Sequence, residues 1–211
     1  MSEVLFKPWI GSKYEEGING KRVMILGHNH YCDERTVCDR CPVQDCLNLT
    51  TEIVEQYLKN PIPDSDHRWK VAYNAFERAM CGKTPSEDER IDLWDHLLFY
   101  NLVQEAMPTP DTKPYAKQYS AALDPFRTVL EQFEPDVIFA WGNGAYNHTP
   151  NDGGSPISQI IFEKCSAIGW RYLNYSKPID IFKIRHPSRS FSWRMWHEIV
   201  MKVLNSEYDV G

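Results

Sequence analysis

One stretch, residues 21–31 (KRVMILGHNHY), constrains the fold of this chain more than any other. Its apolar part, residues 22–26, is bounded by turn residues, which is typical of a central strand covered on both faces. Gly27 permits a tight turn at the carboxyl end of this strand, the edge at which open α/β sheets bind ligands. Hydrogen-bonding side chains and an aromatic ring follow at once: His28, Asn29, His30 and Tyr31. The stretch therefore predicts a buried strand that leads into a ligand site.

The rest of the chain alternates between short apolar runs and amphipathic segments. Strands are predicted at residues 96–104, 137–141 and 179–184, and helices at residues 49–58, 67–80, 86–95, 115–133, 157–168 and 191–204. Pro125 is predicted to start a new helix that Asp124 caps, and residues 1–20 are predicted to be irregular. This order predicts a single α/β domain over residues 1–211, with a central four-stranded parallel sheet flanked by helices on both faces. A cysteine-rich loop is inserted at about residues 32–48.

The overall charge limits the partners that the chain can have. A formal net charge of −6 gives no global case for nucleic-acid binding, so a DNA-binding surface would have to be local. The sequence has no apolar run of membrane-spanning length, and its first ten residues lack a signal-peptide pattern. We therefore expect an intracellular protein without a membrane partner, in which the six cysteines are thiols or metal ligands rather than disulfides.

The four predicted strands carry polar residues or glycines at or near their carboxyl ends, and the carboxyl ends of parallel strands share one edge of a sheet. The four ends read GHNHY, YN, WGNG and RHPS, and in this order they resemble the motifs of the uracil-DNA glycosylase superfamily. Residues 27–31 are similar to its first motif, Gly-Gln-Asp-Pro-Tyr or Gly-x-Asn-Pro-Gly. Residues 98–101 resemble the strand that ends in its base-reading Asn, residues 137–146 the strand before its late Gly turn, and residues 186–188 its terminal His-Pro-Ser motif.

This resemblance spans about residues 22–200 and implies hydrolysis of the N-glycosidic bond of uracil, or of a related damaged base, in single- or double-stranded DNA. It implies no cofactor for the chemistry. His186 would hydrogen-bond a base carbonyl as negative charge develops on the leaving base. Asn101 would pair with N3–H and O4 of uracil and reject cytosine, whose pattern of donors and acceptors is reversed. Read without the resemblance, His186 suits a solvated loop and Asn101 a strand-end cap.

Asn29 is the main departure from the family. The matching residue in the most active branch is an Asp, which orients the attacking water and offsets the positive charge on the sugar. An amide can hold a water through its carbonyl but carries no charge, so slow activity is expected. Tyr31 would block the 5-methyl group of thymine, or is simply a buried aromatic residue. The remaining residues predicted to line the base site are Gly27, His28 and Ser188.

The segment around the His-Pro-Ser motif supplies the local positive charge that a DNA partner needs. Residues 181–193 (IFKIRHPSRSFSW) contain no acidic residue. The predicted nucleic-acid contacts are Lys183, Arg185, Arg189, Phe191 and Arg194. Arg189 or Phe191 would fill the gap left by a base flipped out of the duplex. The same residues also suit an ordinary loop and helix start.

Four cysteines follow the first strand with the spacing C-x5-C-x2-C-x4-C: Cys32, Cys38, Cys41 and Cys46. The central C-x2-C is a familiar metal-ligand pair, so the four thiolates could hold a structural zinc ion or an iron–sulfur cluster. Free or redox-paired thiols are the alternative. Cys81 and Cys165 are predicted to be packing residues on helices.

Three functions follow from these patterns. The first is a DNA base glycosylase. The second is a catalytically weak or inactive member of the same superfamily, which binds a nucleobase or nucleic acid without cutting, as Asn29 and the acidic net charge favour. The third is a metal-dependent hydrolase that uses His28, His30 and Cys32. Protein partners are not indicated by any of these patterns.

Overall fold

The predicted central strand lies inside a larger sheet than the sequence indicates. The computed structural model describes residues 4–32, 46–65 and 67–211. Its strands are β1 (Trp9–Ile10), β2 (Val23–Tyr31), β3 (Leu97–Met107), β4 (Val137–Trp141), β5 (Gly154–Phe162), β6 (Cys165–Tyr172) and β7 (Ile179–Ile184). Its helices are α1 (Leu49–Lys59), α2 (Lys70–Cys81), α3 (Glu87–Asp95), α4 (Ala116–Phe133), α5 (Gly142–Tyr146) and α6 (Trp193–Leu204). The predicted α/β class is confirmed.

The seven strands form one mixed sheet in the order β1-β3-β2-β4-β7-β6-β5. The predicted four-stranded parallel sheet is therefore wrong as a description of the whole. The four predicted strands are mutually parallel at its centre, since β2 pairs in parallel with β3 and β4, and β4 with β7. Antiparallel strands extend the sheet on both sides, β1 beside β3 and the β5–β6 hairpin beside β7.

Helices cover both faces of the sheet, because the parallel strands are apolar on both sides. We call the side covered by α1, α2, α3 and α6 the first face; it holds an aromatic core that includes Tyr73, Trp94, Phe99 and Trp141. The second face is covered by α4 and α5 and includes Leu98, Tyr100, Phe126 and Ile138. Successive residues of a strand alternate between these two cores.

Strand β2 does not end at Gly27, as the sequence predicts, but continues through the polar residues to Tyr31. The reason is pairing with β3: Gly27 lies opposite Asn101, and Asn29 lies opposite Val103. Asn101 is accordingly inside β3 rather than at its end. The pairing of β2 with β4 stops at Leu26 and Ala140. The polar residues therefore lie on a two-stranded extension that projects past the ends of β4 and β7.

The predicted helix at residues 157–168 is wrong, because this segment forms the β5–β6 hairpin. Ile157 and Ile160 are both buried, a three-residue spacing that indicates a helix. A register shift between them, typical of a β-bulge, turns both side chains toward the core. Glu163, in the turn, adopts a positive φ of 49° and reverses the chain.

Pro125 lies within α4 instead of starting a new helix, so the predicted break is also wrong. Its ring is buried on the second face, where packing offsets the hydrogen bond that proline cannot donate. Helix α3, predicted at residues 86–95, starts with a capping box formed by Ser86 and Glu89. Within the described parts of the chain, no helix combines the length and the apolar character needed to cross a membrane.

Candidate functional site

The centre of the site is a row of residues that crosses four parallel strands on the first face. Asn101 on β3 lies opposite Gly27 on β2, and Trp141 on β4 lies opposite Ile184 on β7. The pairing of β2 with β4 ends at Leu26 and Ala140, and Gly27 and Trp141 are the next residues of the two strands. The chain leaves β2 toward β3 on one side and later returns to β4 on the other side. This switch point, between Gly27 and Trp141, is where open α/β sheets form their ligand crevice.

Gly27 is glycine because the Asn101 amide rests on it. A Cβ atom at position 27 would lie 2.0 Å from Asn101 Oδ1 and 3.2 Å from Phe99 Cζ. Any side chain here would therefore displace the amide from the row. Asn101 itself is buried, and its backbone carbonyl accepts a hydrogen bond from Gln104 Nε2 at 2.9 Å.

His30 contacts the nitrogen end of the Asn101 amide, whose oxygen end lies over Gly27. Its imidazole is buried, and Nε2 lies 2.8 Å from the hydroxyl of Thr50 in the first turn of α1. Asn101 Nδ2 approaches the two nitrogens of the same ring at 3.2 and 3.0 Å. Burial lowers the pKa of His30 to about 3, so the ring is neutral at neutral pH.

His186 follows β7 on the same face as the row, with its ring edge-to-face against Trp141 at 6.0 Å between centroids. The Ser188 backbone N–H donates to His186 Nδ1 at 3.2 Å, and the Ser188 hydroxyl lies 2.8 Å from the same atom. Burial, and secondarily the charge of Arg189, lower the pKa of His186 to about 4. The ring is thus neutral with its proton on Nε2, which makes Nε2 a hydrogen-bond donor.

The two remaining predicted residues of β2 also have defined positions. The Asn29 side chain donates from Nδ2 to the backbone carbonyl of His30 at 2.9 Å, which leaves its carbonyl oxygen as the acceptor. Tyr31 is 36 % exposed. Burial, and secondarily an ionised Tyr31, raise the pKa of Tyr73, whose ring packs 5.5 Å from Trp141. Tyr31 therefore lies near the aromatic core beneath the row.

His28 points to the second face and belongs to a cluster that the sequence did not indicate. Its Nε2 lies 2.8 Å from the hydroxyl of Tyr119 on α4, and Tyr119 stacks on His148 at 3.5 Å. A Cβ atom on Gly144 would lie 2.7 Å from the His28 ring. Burial lowers the pKa of His28 to about 4, with smaller contributions from His148 and His186. Tyr119 and His148 were missed because their meeting depends on how α4 and α5 cross the sheet, which no local pattern encodes.

The predicted nucleic-acid residues divide into two groups. Arg185, Arg189 and Arg194 are exposed around the His186 loop. Arg185 donates to the Ser190 carbonyl at 3.2 Å, and Arg194 stacks over Trp193 at 4.5 Å. Lys183 instead points to the second face, 5.8 Å from the centre of the Tyr146 ring. Phe191 stacks in parallel on Trp196 at 5.4 Å. Its ring is therefore part of the packing, and Arg189 is the better placed of the two wedge candidates.

The cysteine loop is only partly described. Cys38 and Cys41 lie outside the described residues, so a zinc or iron–sulfur site that includes Cys32 and Cys46 stays a prediction. Within residues 4–32, 46–65 and 67–211, no three His, Cys, Asp or Glu side chains are grouped to hold a metal ion. The alternative set of His28, His30 and Cys32 is not assembled, because the two imidazoles lie beside Tyr119 and Thr50 respectively.

Comparison with known proteins adds no assignment to this geometry. The sequence matches no model of a known protein family and no curated protein.

Proposed function

We propose that this protein is a uracil-DNA glycosylase-like enzyme that hydrolyses the bond between deoxyribose and uracil, or a related damaged base, in DNA. One observation carries the proposal. The Asn101 amide and the Nε2–H donor of neutral His186 lie on the same face of the sheet, separated by Gly27 and Trp141 at the switch point. A planar base needs this combination of an edge-reading amide, a donor for its carbonyl and an aromatic surface.

The chemistry would divide between these groups. Water adds to C1′ of the sugar and releases one proton to the solvent, the C1′–N1 bond breaks, and its electron pair leaves with the base as the N1 anion. The anion then takes up a proton from the solvent. His186 Nε2–H would donate to the base carbonyl on which negative charge develops, and a donor fixed in advance stabilises that charge most effectively. Because Ser188 holds Nδ1, the ring cannot turn its acceptor toward the base without losing that contact.

Asn29 would make the reaction slow. Its amide nitrogen is used by the His30 carbonyl, so the side-chain oxygen can hold a water but offers neither a negative charge nor a useful base. The pKa of His186 is lowered by its burial and by the positive charge of Arg189. Neither of these supplies a negative charge that would offset a cationic sugar. We therefore expect cleavage well below the rate that an Asp would support.

The same observation favours a second candidate function, a base-binding protein that does not cut. The proposed recognition groups Asn101 and His186 have defined hydrogen-bond partners, whereas Asn29, at the position proposed for a water-activating acid, is an amide. Binding of a base requires only Asn101 and His186, whereas cleavage also requires activation of a water. Cleavage would distinguish the two functions.

The test is a single-turnover assay of uracil release from single- and double-stranded oligonucleotides. We expect slow release by the unmodified protein and release faster by about 10²-fold in Asn29→Asp, because a carboxylate restores charge and basicity. His186→Ala should lower release by about 10²-fold in either background, as removal of a fixed oxyanion donor does. Absence of release from both the unmodified protein and Asn29→Asp would refute the enzyme. Retained binding of uracil in that case would establish the second candidate.

A further inference from the structure

We infer that His30, held by Thr50, fixes the orientation of the Asn101 amide and so restricts the site to bases that present an N–H donor at N3. The inference rests on the proposed function and adds the residues that set its specificity. An unrestrained amide can rotate by half a turn and exchange its oxygen and nitrogen. Asn101 can therefore distinguish uracil from cytosine only if this rotation of its amide is restrained.

The restraint comes from the face of the imidazole. Asn101 Nδ2 is almost equally distant from Nδ1 and Nε2, at 3.2 and 3.0 Å, so it lies over the ring and not in the ring plane. The in-plane direction at Nε2 is taken by the Thr50 hydroxyl at 2.8 Å. Phe6 packs edge-to-face against the same ring at 5.1 Å, which further limits its rotation.

An aromatic face distinguishes the two ends of an amide. The face of a neutral ring is negative, so it attracts an N–H group and repels a carbonyl oxygen. The observed orientation satisfies this preference, with Nδ2 over His30 and Oδ1 over Gly27. The reverse orientation would set the carbonyl dipole against the ring in a buried place, where little water can compensate.

This orientation defines the edge of the base that the site accepts. Oδ1 is directed toward Gly27 on β2, the strand that pairs with the strand of Trp141. At this position Oδ1 offers an acceptor to a donor such as N3–H of uracil. The second Nδ2 hydrogen is left to donate to the adjacent O4. Cytosine has an acceptor at N3 and a donor at C4, so it would pair only with the rotated amide. The amide orientation that His30 favours is therefore the one that pairs with the imide edge of uracil.

Two substitutions at one position separate the ring face from the rest of His30. His30→Leu removes the face, whereas His30→Phe keeps it and loses only the contact with Thr50. We expect the ratio of kcat/KM for uracil over cytosine in DNA to fall by about tenfold or more in His30→Leu and to change little in His30→Phe. The Asn29→Asp background supplies a measurable rate.

A second readout needs no substrate. In ¹H–¹⁵N spectra, a side-chain amide proton of Asn101 should be shifted upfield by the ring current in the unmodified protein and in His30→Phe, and should lose that shift in His30→Leu. An unshifted amide in the unmodified protein overturns the inference. So does an active enzyme in which His30→Leu discriminates as well as the unmodified protein. Failure of every variant to bind or release uracil, with the shifted amide present, refutes the proposed function and with it the selectivity role.

Discussion

At the scale of single residues, neighbouring groups decide which atoms of the site residues donate or accept hydrogen bonds and where their side chains fit. His186 is the clearest case, because the Ser188 backbone N–H occupies Nδ1 and thereby assigns the ring proton to Nε2. Gly27 has no side chain, and this leaves room for the Asn101 amide of the neighbouring strand β3. These positions could be nominated from the sequence because each follows or lies in an apolar run with a distinct polar pattern.

The partners of these residues could not be nominated in the same way. Thr50 reads in the sequence only as a helix start, yet its hydroxyl holds His30. Tyr119 and His148 come from separate parts of the chain and meet His28 only because α4 and α5 pack on the same face. Contacts of this kind depend on helix positions over the sheet, and single-residue patterns carry no information about them.

The low pKa of His186 makes stability depend on pH. The folded-state pKa of about 4 is below the ordinary value of 6.5, so the unfolded chain binds this proton more readily. The contribution of His186 should therefore be constant above pH 6.5 and should be lost as the pH falls toward 4, by about 3 kcal/mol in total. Urea unfolding at several pH values measures it by comparison with His186→Asn, which lacks the titrating group. Arg189→Gln should raise the pKa and shrink the effect. Equal pH profiles for the unmodified protein and His186→Asn would contradict this account.

At the scale of elements, the strands of the centre were predictable and the hairpin was not. Residues 137–141 are a continuous apolar run, and residues 179–184 are mostly apolar, interrupted by Asp180 and Lys183. The structure has strands β4 and β7 at those bounds. In β5 the bulge between Ile157 and Ile160 imitates a helical period, although its four isoleucine and phenylalanine side chains favour a strand. Pro125 misleads in the opposite direction, since tertiary packing retains a helix that local preference would break.

Three helices of the first face are joined by a buried ion pair. Arg90 on α3 contacts Glu77 on α2 at 3.0 Å, and the hydroxyl of Tyr57 on α1 donates to the same carboxylate at 2.5 Å. Glu77 is fully buried. A charge in such a place is tolerated only while its partners remain.

We therefore predict that Arg90→Ala lowers the free energy of unfolding by about 3–5 kcal/mol, because it leaves the Glu77 carboxylate buried and uncompensated. The double variant Glu77→Leu with Arg90→Leu should lose much less, since no charge remains to be desolvated. Arg127→Ala, which removes more exposed ion pairs with Asp152 and Asp124, is the matched control and should cost about 1 kcal/mol or less. Chemical denaturation measures all three. An Arg90→Ala protein as stable as the Arg127→Ala control would show that the pair does not join the helices.

At the scale of the whole molecule, the strand order decides what can meet. Asn101 and His186 are 85 positions apart in the sequence, yet β3 and β7 flank β2 and β4 in one parallel group. The side chains of Asn101 and His186 consequently lie at the same edge of the sheet and on the same face of it. The alternation of strands and helices predicts this convergence in general terms. The antiparallel additions at both sides were not predicted, because residues 9–10 form too short a strand for any pattern and the hairpin was taken for a helix.

The central claim, that Asn101 and His186 hold one base between them, is tested most directly by titrating ¹⁵N-labelled protein with free uracil. The account predicts that the Asn101 side-chain amide and the His186 ring nitrogens shift together and saturate at the same uracil concentration. Shifts that are absent from both residues, or confined to His28, Tyr119 and His148 on the second face, would contradict it.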